Sequence, residues 1–498
     1  MRPKRNLWWG TLTLTSAALA SRGLGLIYRV LLARFLGAEG LGFFQMIFPF
    51  YVALVTLAVA GMPVAVSQMV AEGQSHTKTL MRIAWRLVLA ISIPLMFIVY
   101  LWARPLALTL YHDVRFIPLL WAIAPALLAV AFSSVLRGYF IGLQQVEIPA
   151  ASQVAEQLAR VIIMLGILSA FGRQIPHAPL VAVLLIPIGE SVSLVILATA
   201  YWRRQPPEPM DAAIRPIRVG DILRLALPVT FTRLLGSLVA VIEATIIPLR
   251  LVVSGMSRFH AIQYFGQLTG MALPLIFFPT ALTLSLATNL IPVIAEAHAR
   301  HDLEHIRIHT NASLRATALV TVPVTAVLLT IGVQLDDLFF HTQIPSQIFI
   351  PLVTGGFFLY FDITLAGILR GLGRTVIPMR NDLIASGVEV VLVWVLGARH
   401  GFGPQGIAWA FALGFFLSFV LNFVSTVELT EYRASWGQIL IRPILASVPA
   451  VLLIAWWQTV APHYGWNHAM TLLASVVLAT ITYLASWYAM QWSWPSIT

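Results

Sequence analysis

Long apolar stretches of roughly 20 residues, separated by short polar segments, recur along the whole chain. A membrane-spanning helix needs about 20 apolar residues, whereas a strand of a membrane barrel needs about 10 alternating ones. The pattern therefore predicts an all-α polytopic membrane protein with about fourteen transmembrane helices. The predicted spans are 7–31, 43–70, 83–103, 116–142, 150–171, 179–202, 221–249, 262–291, 312–334, 346–369, 377–397, 404–427, 438–460 and 468–490.

Composition agrees with a membrane protein. Hydrophobic residues make up 59% of the 498 positions and charged residues only 10%, against roughly 25% charged in an ordinary soluble domain. In a bilayer, helices satisfy their own backbone polar groups. The net charge of +11 is spread between spans and is not clustered as a nucleic-acid groove requires. The absence of cysteine excludes disulfides and thiol chemistry.

The distribution of lysine and arginine predicts the orientation. Most of them lie in segments that are cytoplasmic if the N-terminus is inside, so both termini are expected in the cytoplasm. The first residues resemble the basic region of a signal peptide. Because Arg22 and Arg29 interrupt the apolar stretch that follows, we expect a retained first span.

The chain contains an internal repeat. The matching segments are Ser21–Gly25 with Thr232–Gly236, Ala71-Glu72 with Ala295-Glu296, Leu136–Gly138 with Leu369–Gly371, and Ile148-Pro149 with Ile377-Pro378. A repeat of six spans returns the chain to the same side, which predicts two parallel lobes suited to alternating access. The predicted divisions are an N-lobe over 1–202, a proline-rich linker over 203–220, a C-lobe over 221–432 and a C-terminal helix pair over 433–498.

Arginines inside predicted spans are the first candidates for a binding site, because charges there are costly and usually face a wet cavity. Arg22 and Arg29 are seven residues apart, so they share one helix face about 10 Å apart along the axis. Gly25 lies between them, and Arg233 is the repeat partner of Arg22. Guanidinium groups bind phosphate oxygens in bidentate fashion. The three arginines therefore predict an anionic, diphosphate-binding site; the alternative is a structural role in capping helices or pairing with acids.

Acids inside predicted spans are candidates for ion coupling. Glu243 and Glu389 lie deepest and could bind Na⁺ or H⁺; the alternative is a salt bridge to a cavity arginine. Glu156 and Arg160 are spaced i, i+4 on one helix and favour a structural ion pair. Arg137 and Arg370 lie beside glycines near helix ends and favour a gate or interface role.

Further motifs exclude several kinds of chemistry. The segment from Glu296 to His309 carries four histidines at helical spacing, which could share a metal, but the pattern favours an exposed amphipathic connector. The sequence contains no Walker A motif and no compact nucleophile or metal motif. We therefore predict a protein that is not an enzyme and has no cofactor, with coupling to Na⁺, H⁺ or the membrane potential left open.

The first seventy residues carry a recognisable motif. Its segments are Ser21-Arg22-Gly23-Leu24-Gly25, Tyr28-Arg29, Ala33 to Gly42, Gln45-Met46 and Ala60 to Ala65. This pattern resembles the polysaccharide-transporter branch of the multidrug/oligosaccharidyl-lipid/polysaccharide (MOP) exporter superfamily. Within that branch it is similar to the stage V sporulation protein B group, relatives of the lipid II flippases. The similarity extends over essentially the whole chain.

The resemblance implies a monomeric flippase of the bacterial cytoplasmic membrane that translocates undecaprenyl-diphosphate-linked oligosaccharide, such as a peptidoglycan precursor. It also implies that the C-terminal helix pair forms a groove for the lipid tail. One feature departs from the lipid II flippases, which have an Arg-Asp pair where this chain has Tyr28-Arg29.

Two other classes of function remain open at this point. A cation-coupled multidrug or metabolite antiporter of the same superfamily would generally have twelve spans, so the extra pair disfavours it. A membrane-embedded glycosyltransferase or ligase would need a sizeable outside loop with catalytic acids or histidines, and no predicted outside loop is long.

Overall fold

The computed structural model describes residues 7–72, 77–171, 177–203, 218–342 and 344–493, and side chains within 23–490 of these. Helices make up these ranges and strands are absent from them, which confirms the all-α fold class. The helices are α1 (Leu7–Val59), α2 (Met62–Glu72), α3 (Thr77–Leu101), α4 (Ala103–Leu110), α5 (Phe116–Ile123), α6 (Ala126–Gly142), α7 (Glu147–Phe171), α8 (Ala178–Arg203), α9 (Val219–Val253), α10 (Arg258–Gln267), α11 (Leu273–Phe277), α12 (Thr280–Ala299), α13 (Leu303–Phe340), α14 (Ser346–Gly371), α15 (Val376–Leu396), α16 (Gly403–Thr430), α17 (Arg442–Val460) and α18 (His468–Ser493), with π-helical turns at Leu268–Ala272 and Gly437–Ile441 and a 3₁₀ turn at Ala461–Tyr464.

Within the described ranges, 12 helices are long and apolar enough to cross a membrane. This count treats the 50 residues from Gly23 to Glu72 as one candidate, although two spans are predicted there. It also omits α15, which carries Arg380, Asp382 and Glu389 within its 21 residues. The predicted count of about fourteen therefore stays a prediction.

Helix α1 is broken in the middle by Gly37. Its 53 residues would be about 80 Å long as one straight helix, against a hydrocarbon core of about 30 Å. Gly37 has φ 64° and ψ 179°, a conformation that is essentially restricted to glycine. The first piece covers the first predicted span, whereas the second predicted span, 43–70, runs from the second piece into α2.

The chain divides into two compact units, one of Met1–Thr245 with Ile262–Gly266 and the other of Ile246–Ala261 with Gln267–Thr498. The division falls inside α9, whereas residues 204–217 of the predicted linker lie outside the described residues. The predicted lobe boundaries stay a prediction.

Glycines allow close helix packing within the first unit. A Cβ atom on Gly138 or Gly142 of α6 would overlap the backbone carbonyls of Pro63 and Ser67 on α2. Around this contact, apolar side chains from α2, α3, α6, α8 and the start of α9 form a continuous buried core. The core holds α6 and α8 in fixed register, which matters because both carry charged side chains.

The C-terminal pair α17–α18 packs against α13 in the second unit. Buried Ile331 and Leu335 of α13 contact Ala446 and Ala450 of α17 in one apolar cluster, to which α18 also contributes. The Tyr483 hydroxyl of α18 donates a hydrogen bond of 2.9 Å to the Leu319 carbonyl oxygen. The pair is thus an integral part of the second unit.

The histidine-rich connector leads into α13. Asp302 caps this helix by accepting a hydrogen bond of 3.0 Å from the His305 amide, and its other oxygen lies 2.6 Å from His305 Nδ1. The amide hydrogen bond is the main reason why the pKa of Asp302 is lowered. Within the described residues, no group of three or more metal-ligating side chains occurs.

We expect Gly37→Ala to destabilise the protein by about 1–3 kcal/mol, because alanine must adopt a backbone conformation that only glycine tolerates. The measurement is thermal or denaturant unfolding of the purified protein in detergent. Gly23→Ala is the matched control on the same helix, since an added Cβ there meets nothing within 4 Å. Equal effects of the two substitutions would contradict the role given to Gly37.

Candidate functional site

Arg29 lies on the first half of α1 with its side chain exposed. Among the residues whose side chains the structure describes, Arg29 has no hydrogen-bond or ion-pair partner. One turn earlier, a Cβ on Gly25 would meet nothing within 4 Å. The face that carries both residues is therefore open, as expected from their spacing.

Arg233 repeats this arrangement on α9. Its side chain is exposed, and it too lacks a hydrogen-bond or ion-pair partner within the described part of the chain. Gly236, the repeat partner of Gly25, also faces open space. Arg22 belongs to α1, but its side chain lies outside the described residues. The convergence of these arginines on one cavity stays a prediction.

A buried cluster of four charged side chains lies in the first unit. The four-charge cluster consists of Arg137 from α6, Glu156 and Arg160 from α7, and Glu190 from α8. Glu156 binds Arg160 at 2.8 Å and Arg137 at 3.3 Å, and Glu190 lies 3.5 Å and 3.6 Å from the same two guanidinium groups. Ser193 accepts a further hydrogen bond of 3.0 Å from Arg137. The predicted Glu156–Arg160 pair is thus present, as half of a larger network.

The four-charge cluster is electrically neutral, because two arginines face two glutamates. Each carboxylate lies near both guanidinium groups, which offsets part of the cost of burying four charges. It joins three helices, so its most direct role is to hold α6, α7 and α8 together. The network therefore has no net charge with which to bind a charged ligand.

The second unit contains a cavity of about 280 Å³, called here the acidic cavity, whose polar lining includes three acids. Asp362 of α14 and Asp382 and Glu389 of α15 face it, together with Arg370. Asp362 and Glu389 are each 6% exposed. Three acids and one arginine thus line the same cavity. Ionisable residues at such positions in membrane proteins commonly mark ion or proton pathways.

Ser418 of α16 bridges two of these acids. Its hydroxyl oxygen lies 3.1 Å from Asp362 Oδ1 and 2.8 Å from Asp382 Oδ1. A hydroxyl has one hydrogen to donate, so it can satisfy only one of the two carboxylates. The same Asp362 oxygen accepts a hydrogen bond of 2.7 Å from Asn422 Nδ2. Both carboxyl groups can bond to this hydroxyl only if one of them is protonated and donates to it.

The repeat places opposite charges at equivalent positions of the two lobes. The offset that aligns Ile148-Pro149 with Ile377-Pro378 also aligns Arg160 with Glu389. Each of these charged side chains lies against a glycine of the next helix: a Cβ on Gly189 would overlap Arg160, and a Cβ on Gly414 would overlap Glu389. The two units thus use the same packing scheme with residues of opposite charge.

The two acids predicted as a coupling site belong to different units. Glu389 lines the acidic cavity, whereas Glu243 is a half-buried residue of α9. Their joint site stays a prediction. Sequence reasoning did not find Asp382 or Ser418. The seven-residue spacing of Asp382 and Glu389, which places both on one helix face, was the available signal.

Comparisons with known proteins agree with this architecture. The family described as polysaccharide biosynthesis protein matches residues 7–298, and the MatE family matches residues 268–395. Stage V sporulation protein B of Bacillus subtilis (strain 168) is 30% identical over 463 residues, which cover 89% of each chain.

The chain belongs to the polysaccharide biosynthesis protein family. The lipid II flippase MurJ of Bacillus subtilis (strain 168) is 24% identical over 449 residues, 83% of this chain and 81% of that protein. A solved structure of lipid II flippase MurJ in an inward closed conformation matches with a TM-score of 0.74 at 16% identity, over 97% of this chain and 99% of that one. An inward-facing multidrug resistance MATE family transporter matches with a TM-score of 0.65 at 15% identity, over 82% and 94%.

These matches confirm the resemblance to the MOP superfamily and to its stage V sporulation protein B-like members. As a member of this family, the chain is a multi-pass bacterial membrane protein and a transporter or flippase; its relatives are not enzymes.

We expect Glu156→Gln to destabilise the protein by about 3–5 kcal/mol, because Arg137 and Arg160 would then share the single carboxylate of Glu190. Unfolding in detergent measures the loss. Glu296→Gln is the control, because it removes the i, i+4 ion pair with Arg300, and the Arg300 side chain is 73% exposed. This substitution should reduce the stability by less than about 1 kcal/mol. A small effect at Glu156 would show that the four-charge cluster does not hold the helices together.

Proposed function

We propose that this protein is a flippase that translocates a lipid-linked oligosaccharide with an undecaprenyl-diphosphate anchor, such as the peptidoglycan precursor lipid II. Both termini are cytoplasmic, and a monomer works by alternating access. Arg22, Arg29 and Arg233 bind the diphosphate. The observation that carries the proposal is that Arg29 and Arg233 are exposed on membrane-spanning helices and have no partner among the described side chains. An unpaired guanidinium in a span is costly unless it faces water or an anion.

An apolar groove supports a lipid-linked cargo. It has a volume of about 340 Å³ and lies between α13, α14 and α17. Val322, Leu329, Phe357, Val448 and Leu452 are among its mostly apolar walls. An isoprenoid chain gains about 0.8 kcal/mol for each buried methylene equivalent, so such a groove can hold a segment of the tail.

The acidic cavity supports coupling to a cation gradient. Asp362, Asp382 and Glu389 together supply the carboxyl groups that bind a proton or a sodium ion in this proposal. Glu243 is the other candidate for this role. The same acids keep a drug-cation antiporter as the second candidate function, but the unpaired arginines favour an anionic cargo.

We expect Arg29→Ala and Arg233→Ala to reduce translocation roughly tenfold to hundredfold each, because each substitution removes a charged hydrogen-bond donor. The assay uses proteoliposomes with a labelled undecaprenyl-diphosphate-linked sugar. Arg29→Lys should keep part of the activity, since lysine retains the charge but not the bidentate geometry.

Arg300→Ala is the control, because Arg300 is exposed and contacts only Glu296 among the described residues. Full activity of both alanine variants at Arg29 and Arg233 would exclude the anion site. Export of a cationic drug without translocation of the labelled lipid would favour the antiporter.

We expect Glu389→Gln to abolish the response of translocation to an imposed Na⁺ or H⁺ gradient, because the acidic cavity then loses one charge. Glu428→Gln on α16 is the control, since Glu428 is exposed. The gradient response, measured in the same proteoliposomes, is the readout. An unchanged response in Glu389→Gln would remove the cavity from the coupling mechanism.

A further inference from the structure

A buried aspartate of the second unit, Asp336, does not line the acidic cavity. Asp336 is four residues from the end of α13, and its side chain is 0% exposed. Neither of its carboxylate oxygens has a hydrogen-bond partner among the residues that the structure describes. An ionised carboxylate in that position would be buried without compensation, which is among the most costly arrangements in a protein interior.

The surroundings of Asp336 offer it no permanent positive charge. The titratable groups at this end of α13 and of the described elements packed against it are Asp337, His341, His463 and His468. The arginines of α14 and α17, Arg370 and Arg442, lie at the opposite ends of their helices, and α18 has no lysine or arginine. The protonated carboxyl group is therefore the form that fits.

A cavity of mixed lining lies next to Asp336 along α13. It has a volume of about 590 Å³ and is formed by the end of α13, the start of α14 and the first residue of α18. Its polar lining residues are Thr330, Gln334, Asp337, Ser346 and His468. Phe349, which also lines the cavity, packs directly on Gly332, one turn before Asp336 on α13. Asp336 thus lies on the helix that forms one wall of the cavity, next to the cavity-lining Asp337.

Two residues that line the cavity carry groups that exchange protons with water. Asp337 is the next residue along the chain, and His468 has an imidazole ring, the side chain that exchanges protons near neutral pH. His468 belongs to α18, so the site is complete only when the C-terminal pair is in place. By the predicted orientation, this end of α13 faces the outside of the membrane.

We propose that Asp336 is a proton-binding site that is loaded from the outer face through this cavity, with Asp337 and His468 as the exchanging groups. The proton comes from bulk water and binds a carboxylate oxygen of Asp336; no covalent step and no other reactant are involved. The site is distinct from the acidic cavity and does not depend on the identity of the cargo.

Infrared spectroscopy of the purified protein in lipid tests the site directly. A protonated carboxyl group has a carbonyl stretch separate from that of a carboxylate. We expect the wild type at neutral pH to show absorption from protonated carboxyl groups. The Asp336→Asn variant should lose the absorption of one such group, whereas the Asp337→Asn variant should retain it. A spectrum of Asp336→Asn with undiminished protonated-carboxyl absorption would overturn the proposal.

The pH dependence of thermal stability is the second measurement, and it needs no substrate. If the folded protein holds a proton that the unfolded chain releases, stability must fall as pH rises. We expect this fall in the wild type and a shallower one in Asp336→Asn and in Asp336→Leu, of which the second serves if the first does not fold. Equal slopes in the wild type and in the variant that folds would overturn the proposal.

The His468→Ala variant tests the proton-exchange route separately from the proton-binding site at Asp336. Loss of the protonated-carboxyl absorption after a jump to alkaline pH should become slower in this variant, while its amplitude stays unchanged. An unchanged rate would exclude His468 from the exchange path and so overturn that part of the proposal. The proposed arginine site could fail its own assay without affecting any of these results.

Discussion

The cost of placing charge in a bilayer constrains every polar side chain of this protein. Insertion of a charged residue at the centre of a spanning helix costs at least ~2.5–3.5 kcal/mol, and this cost is reduced by pairing, by protonation or by contact with water. The four-charge cluster uses pairing, with Arg137, Glu156, Arg160 and Glu190 close enough to neutralise one another. Asp336 has no hydrogen-bond partner in the described part of the chain, so protonation is its remaining route.

The same constraint explains why the two lobes differ. They use one packing scheme, in which a charged side chain of one helix lies against a glycine of the next, Arg160 on Gly189 and Glu389 on Gly414. In the first unit the charges pair and the network joins three helices. In the second unit, Asp362, Asp382 and Glu389 line a cavity together with Arg370, and this is the cavity proposed above to bind a coupling cation. The same packing scheme thus accompanies an ion-pair network in one unit and a set of cavity-lining acids in the other.

The open arginines complete this division of roles. Arg29 and Arg233 are exposed and unpaired among the described side chains, and the glycines one turn before Arg29 and one turn after Arg233 leave space beside them. The proposed function accordingly uses these arginines for an anionic group, the apolar groove beside α17 for a lipid tail and the acidic cavity for a cation.

The sequence by itself determined the class of the fold, because apolar runs of helix length allow only a bundle of spanning helices. It also identified the Glu156–Arg160 pair and the open face of Arg29 and Gly25, since helical spacing is a local property that numbering alone reveals. It did not find the connection of Arg160 to Glu190 or the bridge that Ser418 makes between Asp362 and Asp382. These contacts join residues far apart in the chain, and helix packing brings them together.

Burial was likewise decided by the tertiary structure. Asp336 and Asp337 are adjacent in the sequence, yet one is fully buried and the other lines a cavity. Successive residues of a helix differ in direction by about 100°, which follows from 3.6 residues per turn. Only the positions of α14 and α18 around α13 decide which of the two directions is closed to water.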